Sequence, residues 1–127
     1  MTEIFDSSTP IYLQLVERIN RQILRGELKP GDKLPSVREM GIQSGVNPNT
    51  VQRTYRELEG MKIVESKRGQ GTFVTENQKI LQDMREQLKQ EEISHFVESM
   101  KAMGYSESEI VNGLEVFLSQ IEGSESE

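Results

Sequence analysis

The sequence predicts a mainly α protein with a small β-wing: a winged helix-turn-helix head followed by a C-terminal helical hairpin. Three observations carry this. Two helix-start signals, at Ser36 and at Asn47-Pro48, bracket a glycine, Gly45. A basic, glycine-containing turn, Lys67-Arg68-Gly69-Gln70-Gly71, separates two short extended runs. Beyond Thr75 the apolar pattern lengthens to that of long helices.

The first helix is announced by Thr9-Pro10, an N-cap followed by proline at the first helical position. Ile11, Leu15, Ile19 and Ile23 recur every four residues until Gly26 ends the helix. This helix supplies core. Tyr12 and Arg18 read as structural or surface residues.

Ser36 and Glu39 have the S-x-x-E spacing of a capping box, in which hydroxyl and carboxylate each satisfy an orphan backbone N–H. The second helix therefore starts at Ser36 and is short, because Gly45 interrupts it and Asn47-Pro48 opens another. The third helix runs from Pro48 to Glu59. Val51, Tyr55 and Leu58 fall on one face for the core, leaving Asn49, Gln52, Arg53 and Arg56 opposite. An exposed face of amide and guanidinium groups suits base edges, since Asn or Gln pairs bidentately with adenine and Arg with guanine in the major groove.

After Ile63-Val64 the run ESKRGQGTFV forms a hairpin whose glycines permit a tight tip. A narrow tip carrying Lys67, Arg68, Gly69 and Gln70 can enter the minor groove, where negative potential is concentrated. Singly, a surface arginine is usually solvated surface and a G-x-G a common turn. In this order and within some forty residues they point to duplex DNA.

Ile80, Leu81, Met84, Leu88, Ile93, Phe96, Val97, Met100 and Met103 form the next stripe, with a polar gap at Lys89-Gln90-Glu91-Glu92. Gly104 stops it. Ser106 and Glu109 form a second capping box and open a helix with Ile110, Leu114, Phe117 and Ile121 on one face. Two helices joined by a short turn carry more apolar face than they bury on each other. Leu88, Phe96, Met100, Ile110, Leu114, Phe117 and Ile121 are therefore expected at the interface of a homodimer, packing on the chain's own head being the plainer alternative. The expected organisation is a DNA-binding head over 1–76, a two-helix dimerisation domain over 77–122 and a disordered tail over 123–127.

The string PIYLQLVERINRQILRGELKPGDKLPSVREMGIQSGVNPNTVQRTYRELE, followed by KRGQGTFV, resembles the amino-terminal domain of GntR-family bacterial transcription regulators. The match covers about residues 10–75 and combines Gly26-x-Leu28-x-Pro30-Gly31-Asp32-x-Leu34-Pro35-Ser36-x-Arg38 with Asn49-Thr50-Val51 and Gly69-x-Gly71-x-Phe73-Val74. The resemblance implies DNA contacts from Ser36, Arg38, Asn47, Asn49, Thr50, Gln52, Arg53, Arg68 and Gly69; Arg56 is added from its place on the exposed helix face. The short two-helix tail resembles the YtrA subfamily, which implies a homodimeric repressor of its own operon and of ABC-transporter genes. Three positions depart from the family pattern. Met40-Gly41 stands where Leu-Ala is usual, a glycine in a helix costing about 1 kcal/mol relative to alanine. Lys62 stands where a glycine normally follows the third helix.

The net charge of −6 looks wrong for a DNA binder until it is divided. Residues 1–76 hold eleven Lys plus Arg against ten Asp plus Glu, a net of +1, and residues 77–127 hold four against eleven, a net of −7. The tail carries the acidity. Phosphate attraction is local on the scale of a Debye length of about 8 Å, so the basic surface of Arg38, Arg53, Arg56, Lys67 and Arg68 decides.

The chain has no cysteine, hence no disulfide framework and no thiolate chemistry. It has no apolar run of membrane-spanning length and an N-terminus too polar for a secretory signal, so a soluble cytoplasmic protein is expected, and the resemblance implies a bacterial one. Its one histidine, His95, has no second His or Cys to complete a metal or nucleophile set, and Gly69-Gln70-Gly71 lacks the residues of a phosphate loop. Neither enzyme activity, metal nor cofactor is expected. Two other readings are a protein-interaction adaptor, disfavoured by Arg38, Arg53 and Arg68, and the head of an enzyme-fused regulator, disfavoured by the acidic GSESE ending. The tail lacks the bulk to enclose a metabolite, so a small-molecule effector would bind between subunits or between head and tail, with the 89–92 gap as a pivot.

Overall fold

The computed structural model describes residue 5 and residues 7–125. Five helices and one hairpin follow in the order α1 (Ile11–Leu24), α2 (Val37–Ser44), α3 (Pro48–Gly60), β1 (Val64–Lys67), β2 (Gly71–Val74), α4 (Gln78–Ala102) and α5 (Glu107–Glu125). The chain divides into two compact units between Arg85 and Glu86, inside α4. The division falls later than the composition change at 76/77, because the first turns of α4 carry Ile80, Leu81 and a buried Met84 and group with the head.

In the head, α1 lies against α3, and α2 against α3. Leu15, Ile19, Val51, Thr54 and Leu58 are almost wholly buried, joined by Leu34, Val64 and Val74 from the loop and hairpin. The apolar repeat of α1 holds with one correction. Ile11, the first residue of the helix, is 46% exposed, and Val16 and Asn20 extend the buried face instead. The N-cap is Pro10 rather than Thr9; its carbonyl accepts the N–H groups of Leu13 and Gln14, while the Gln14 amide donates to the Thr9 carbonyl.

All four turns that end α1, α2, α3 and α4 place a residue of positive φ just past the helix: Gly26, Gly45, Lys62 and Gly104. The N–H of the following residue reaches back five residues to a helix carbonyl in each case: Glu27 to Gln22, Val46 to Gly41, Ile63 to Leu58 and Tyr105 to Met100. These are Schellman endings, which need a left-handed residue and therefore favour glycine. Lys62, at φ 64°, is the exception, and its conformation explains why a glycine is usual there. Lys62→Gly is expected to stabilise the head by about 1 kcal/mol, the left-handed penalty being partly offset by the greater freedom of an unfolded glycine. Thermal unfolding checks this; an unchanged or lower Tm would contradict it.

Gly41 is likewise explained by packing. A Cβ there would lie 2.8 Å from the Val46 carbonyl oxygen, so the missing side chain lets α2 approach the turn into α3 closely. Its low helix propensity is the cost of that approach.

The hairpin pairs Val64 with Val74, Glu65 with Phe73, Ser66 with Thr72 and Lys67 with Gly71, antiparallel. The loop before α2 joins it as a third strand in miniature. Lys33 bridges Phe73, the Leu34 N–H donates to the Thr72 carbonyl at 2.8 Å, and the Val74 N–H donates to the Asp32 carbonyl at 2.8 Å.

In the second unit, α4 and α5 are joined by the Gly104 turn and the Ser106/Glu109 capping box, whose two bonds measure 3.0 and 3.2 Å. The polar stretch 89–92 is continuous helix, not a break; Lys89 pairs with Glu86 at 2.8 Å and Gln87 bonds Glu91 at 3.1 Å. Residues 123–125, expected in a disordered tail, belong to α5, which runs through Glu125. A single Gly123 among helix-compatible residues costs about 1 kcal/mol and does not stop it. Residues 126 and 127 lie outside the described residues.

Candidate nucleic-acid interface

Every head residue nominated from the sequence is exposed except Thr50, which is half-buried. At the start of α2 the capping box is complete: Ser36 Oγ accepts the Glu39 N–H at 3.1 Å, and the Glu39 carboxylate accepts the Ser36 N–H at 2.9 Å. Bonds to the carboxylate from the Ser36 backbone N–H first and then from the Ser36 side chain, with the Lys33 charge adding, hold the Glu39 carboxyl below the usual carboxylate range. Arg38 projects from the same exposed first turn.

The anchor between the two helices is Tyr55. Its hydroxyl donates to the Pro35 carbonyl at 2.6 Å, and burial, with the Glu39 charge adding, pushes its phenol well above the usual range. Tyr55 thus stays neutral and fixes α3 to the entrance of α2.

At the start of α3, Asn47 Oδ1 accepts the Asn49 N–H at 2.8 Å, which leaves the Asn47 amide N–H groups to face outward. The Thr54 hydroxyl donates to the Thr50 carbonyl at 3.0 Å and turns inward. Asn49, Gln52, Arg53 and Arg56 share one exposed arc, with Val51, Thr54, Tyr55 and Leu58 buried opposite. The backbone N–H groups and dipole of a helix N-terminus also favour a phosphate there. Arg53 lies over the ring of Tyr12, its Cζ 3.9 Å from the centroid.

The wing tip is Arg68-Gly69-Gln70, closed by a bond from the Gln70 N–H to the Lys67 carbonyl at 2.9 Å. Gly69 has φ 75°, as the tight tip requires. Lys67 Nζ stands 4.7 Å from the Phe73 ring centroid. One basic residue was missed from sequence. Lys33 is exposed and its side chain passes Gly71 so closely that a Cβ there would lie 2.7 Å from Lys33 Cε. The only signal was its place in the loop before α2, and nothing local shows that this loop pairs with β2.

In the second unit, Phe96, Leu114, Phe117 and Ile121 are exposed, Leu88 and Met100 half-buried, and Ile110 buried. His95 is exposed on α4. Among the described residues no group of three or more His, Cys, Asp or Glu side chains could hold a metal ion, and no helix is long and apolar enough to cross a membrane.

The model for bacterial regulatory proteins of the gntR family matches residues 11–74, from the start of α1 to the end of β2. The chain belongs to this family. It is 50% identical over 117 residues to the HTH-type transcriptional regulator YhcF of Bacillus subtilis strain 168, covering 92% of this chain and 97% of YhcF. It is 48% identical over 90 residues to the HTH-type transcriptional repressor YtrA of the same organism, covering 66% of this chain and 69% of YtrA. A gntR-family transcriptional regulator from Listeria monocytogenes superposes with a TM-score of 0.82 at 35% identity, over 87% of this chain and 97% of that one. The AraR DNA-binding domain in complex with operator ORX1 superposes with a TM-score of 0.51 at 29% identity, over 59% of this chain and 92% of AraR's domain. The protein is thus a DNA-binding transcriptional regulator of the YtrA-like gntR type, from a family of regulators rather than enzymes.

Proposed function

We propose that the protein is a cytoplasmic, homodimeric repressor of a near-palindromic operator, acting on its own operon and on ABC-transporter genes. The single observation that carries the DNA-reading part is the exposed arc of Asn49, Gln52, Arg53 and Arg56 on a helix whose other face is core. In this reading Asn49, Gln52, Arg53 and Arg56 read base edges in the major groove. Ser36, Arg38, Asn47 and Thr50 hold phosphates, and Lys67, Arg68, Gly69 and Gln70 follow the minor groove. Two linked readers engage two half-sites about one helical turn apart and add their binding energies.

Dimerisation is supported by α5. Leu114, Phe117 and Ile121 lie on one face with Val111 and Leu118 beside them, and all five are exposed in the single chain. So broad an apolar surface marks a protein contact. Ile110 is already buried in the single chain.

Selection of binding sites from random duplex DNA, followed by mobility shift across a salt series, tests the whole reading. A two-fold-symmetric winner with steep salt dependence is the expected result; no enrichment at low salt would refute it and favour a protein-interaction adaptor. Lys67→Ala should weaken binding to all duplexes alike and lower the salt slope by about one unit, as expected for a lost phosphate contact. Loss of discrimination between sequences, with the slope unchanged, would instead make Lys67 a base reader.

A further inference from the structure

Tyr12 stands in α1, outside the helix-turn-helix, and its ring covers Arg53 of α3 with the guanidinium carbon 3.9 Å from the centroid. We infer that Tyr12 is a positioning residue for base reading: its ring holds the Arg53 guanidinium in the orientation used at the DNA and so sharpens the choice of operator. The inference rests on the proposed role of Arg53 as a base reader.

An exposed arginine has many rotamers, and ordering its side chain on binding costs conformational entropy. A ring face that already holds the guanidinium removes part of that cost before DNA arrives. Stacking engages only the face of the guanidinium plane and leaves its N–H groups, which lie in the plane and point outward, free for two parallel bonds to guanine. Arginine can therefore keep its aromatic neighbour and its base at once.

The platform is itself fixed. Tyr12 is half-buried, and the Thr54 hydroxyl, beside Arg53 in sequence, reaches the Tyr12 main-chain carbonyl at 3.3 Å while also bonding the Thr50 carbonyl. Since that link uses the Tyr12 backbone, it survives side-chain replacement. Tyr12 can be changed without removing the hydrogen-bonded tie between α1 and α3.

The test is a double-mutant cycle on the full chain with Tyr12→Leu, Tyr12→Phe, Arg53→Ala and Tyr12→Leu/Arg53→Ala. The probes are the duplex that the wild-type protein enriches from random DNA and the same duplex with its selected bases shuffled. Tyr12→Leu is expected to reduce the ratio of the two affinities about two- to fivefold, the range of an exposed cation–π contact. Tyr12→Phe, which keeps the ring, should restore the ratio, and Tyr12→Leu should have no further effect once Arg53 is alanine. A ratio unchanged in Tyr12→Leu while Arg53→Ala loses discrimination would overturn the inference and leave the Arg53 reading standing. An unaffected Arg53→Ala would overturn the reading beneath it. A loss in Tyr12→Leu that persists in the Arg53→Ala background, or that tracks a fall in Tm, would assign Tyr12 to packing and also overturn it.

Discussion

Arg53→Ala is expected to lower discrimination between operator and unrelated duplex by roughly 1 to 3 kcal/mol, about five- to 150-fold, the value of a lost bidentate base contact. The effect should appear in specificity more than in general attraction to DNA, because the positive charges of Arg38, Lys67 and Arg68 remain. Folding should be little disturbed: Arg53 is exposed and the neighbouring Val51, Thr54 and Leu58 keep the helix anchored. Competition binding with operator and with shuffled duplex measures it. If the variant bound both as the parent does, the side of α3 turned to the bases would have to be reassigned.

The second large effect is expected at α5. Leu114→Asp with Phe117→Asp places two carboxylates on a face that is 43% and 57% exposed in the single chain and covered in the proposed dimer. Burying a carboxylate without a partner is costly enough that the subunits should separate instead. Sedimentation should show monomers, and affinity for a full operator should fall by about 10²- to 10⁴-fold as the linked second reader is lost, while binding to a half-site stays near that of one wild-type head. A variant that sediments as a dimer would move the interface elsewhere. Because both positions are on the surface of a single chain, α5 should keep its helical content, and circular dichroism separates dissociation from unfolding.

What could be read from the sequence was governed by local chemistry. Both capping boxes are closed between residues three apart, so Ser36 with Glu39 and Ser106 with Glu109 announced their helices correctly. Gly26, Gly45 and Gly104 likewise announced three endings, but the fourth fell on Lys62, whose side chain carries no mark of a left-handed backbone. The exposed arc of α3 followed from its own periodicity. Features built from distant residues did not follow. Tyr12 and Arg53 meet only because α1 crosses α3, and Lys33 reaches the wing only because its loop pairs with β2. Ile11 shows the same limit in reverse: the repeat gave its face correctly, but not how far along that face burial extends.

The pairing of Asp32, Lys33 and Leu34 with β2 also governs how neighbouring copies can meet. An open strand edge is a template on which another chain can add its own strand, the usual route from crowding to fibrous aggregates. Here the outer edge of β2 is occupied from within the same chain. The remaining edge belongs to β1, only four residues long and carrying Glu65 and Lys67. Wings brought side by side are thereby denied cross-chain strand addition, so a regulator that gathers along DNA keeps its hairpins separate and leaves association to side chains elsewhere.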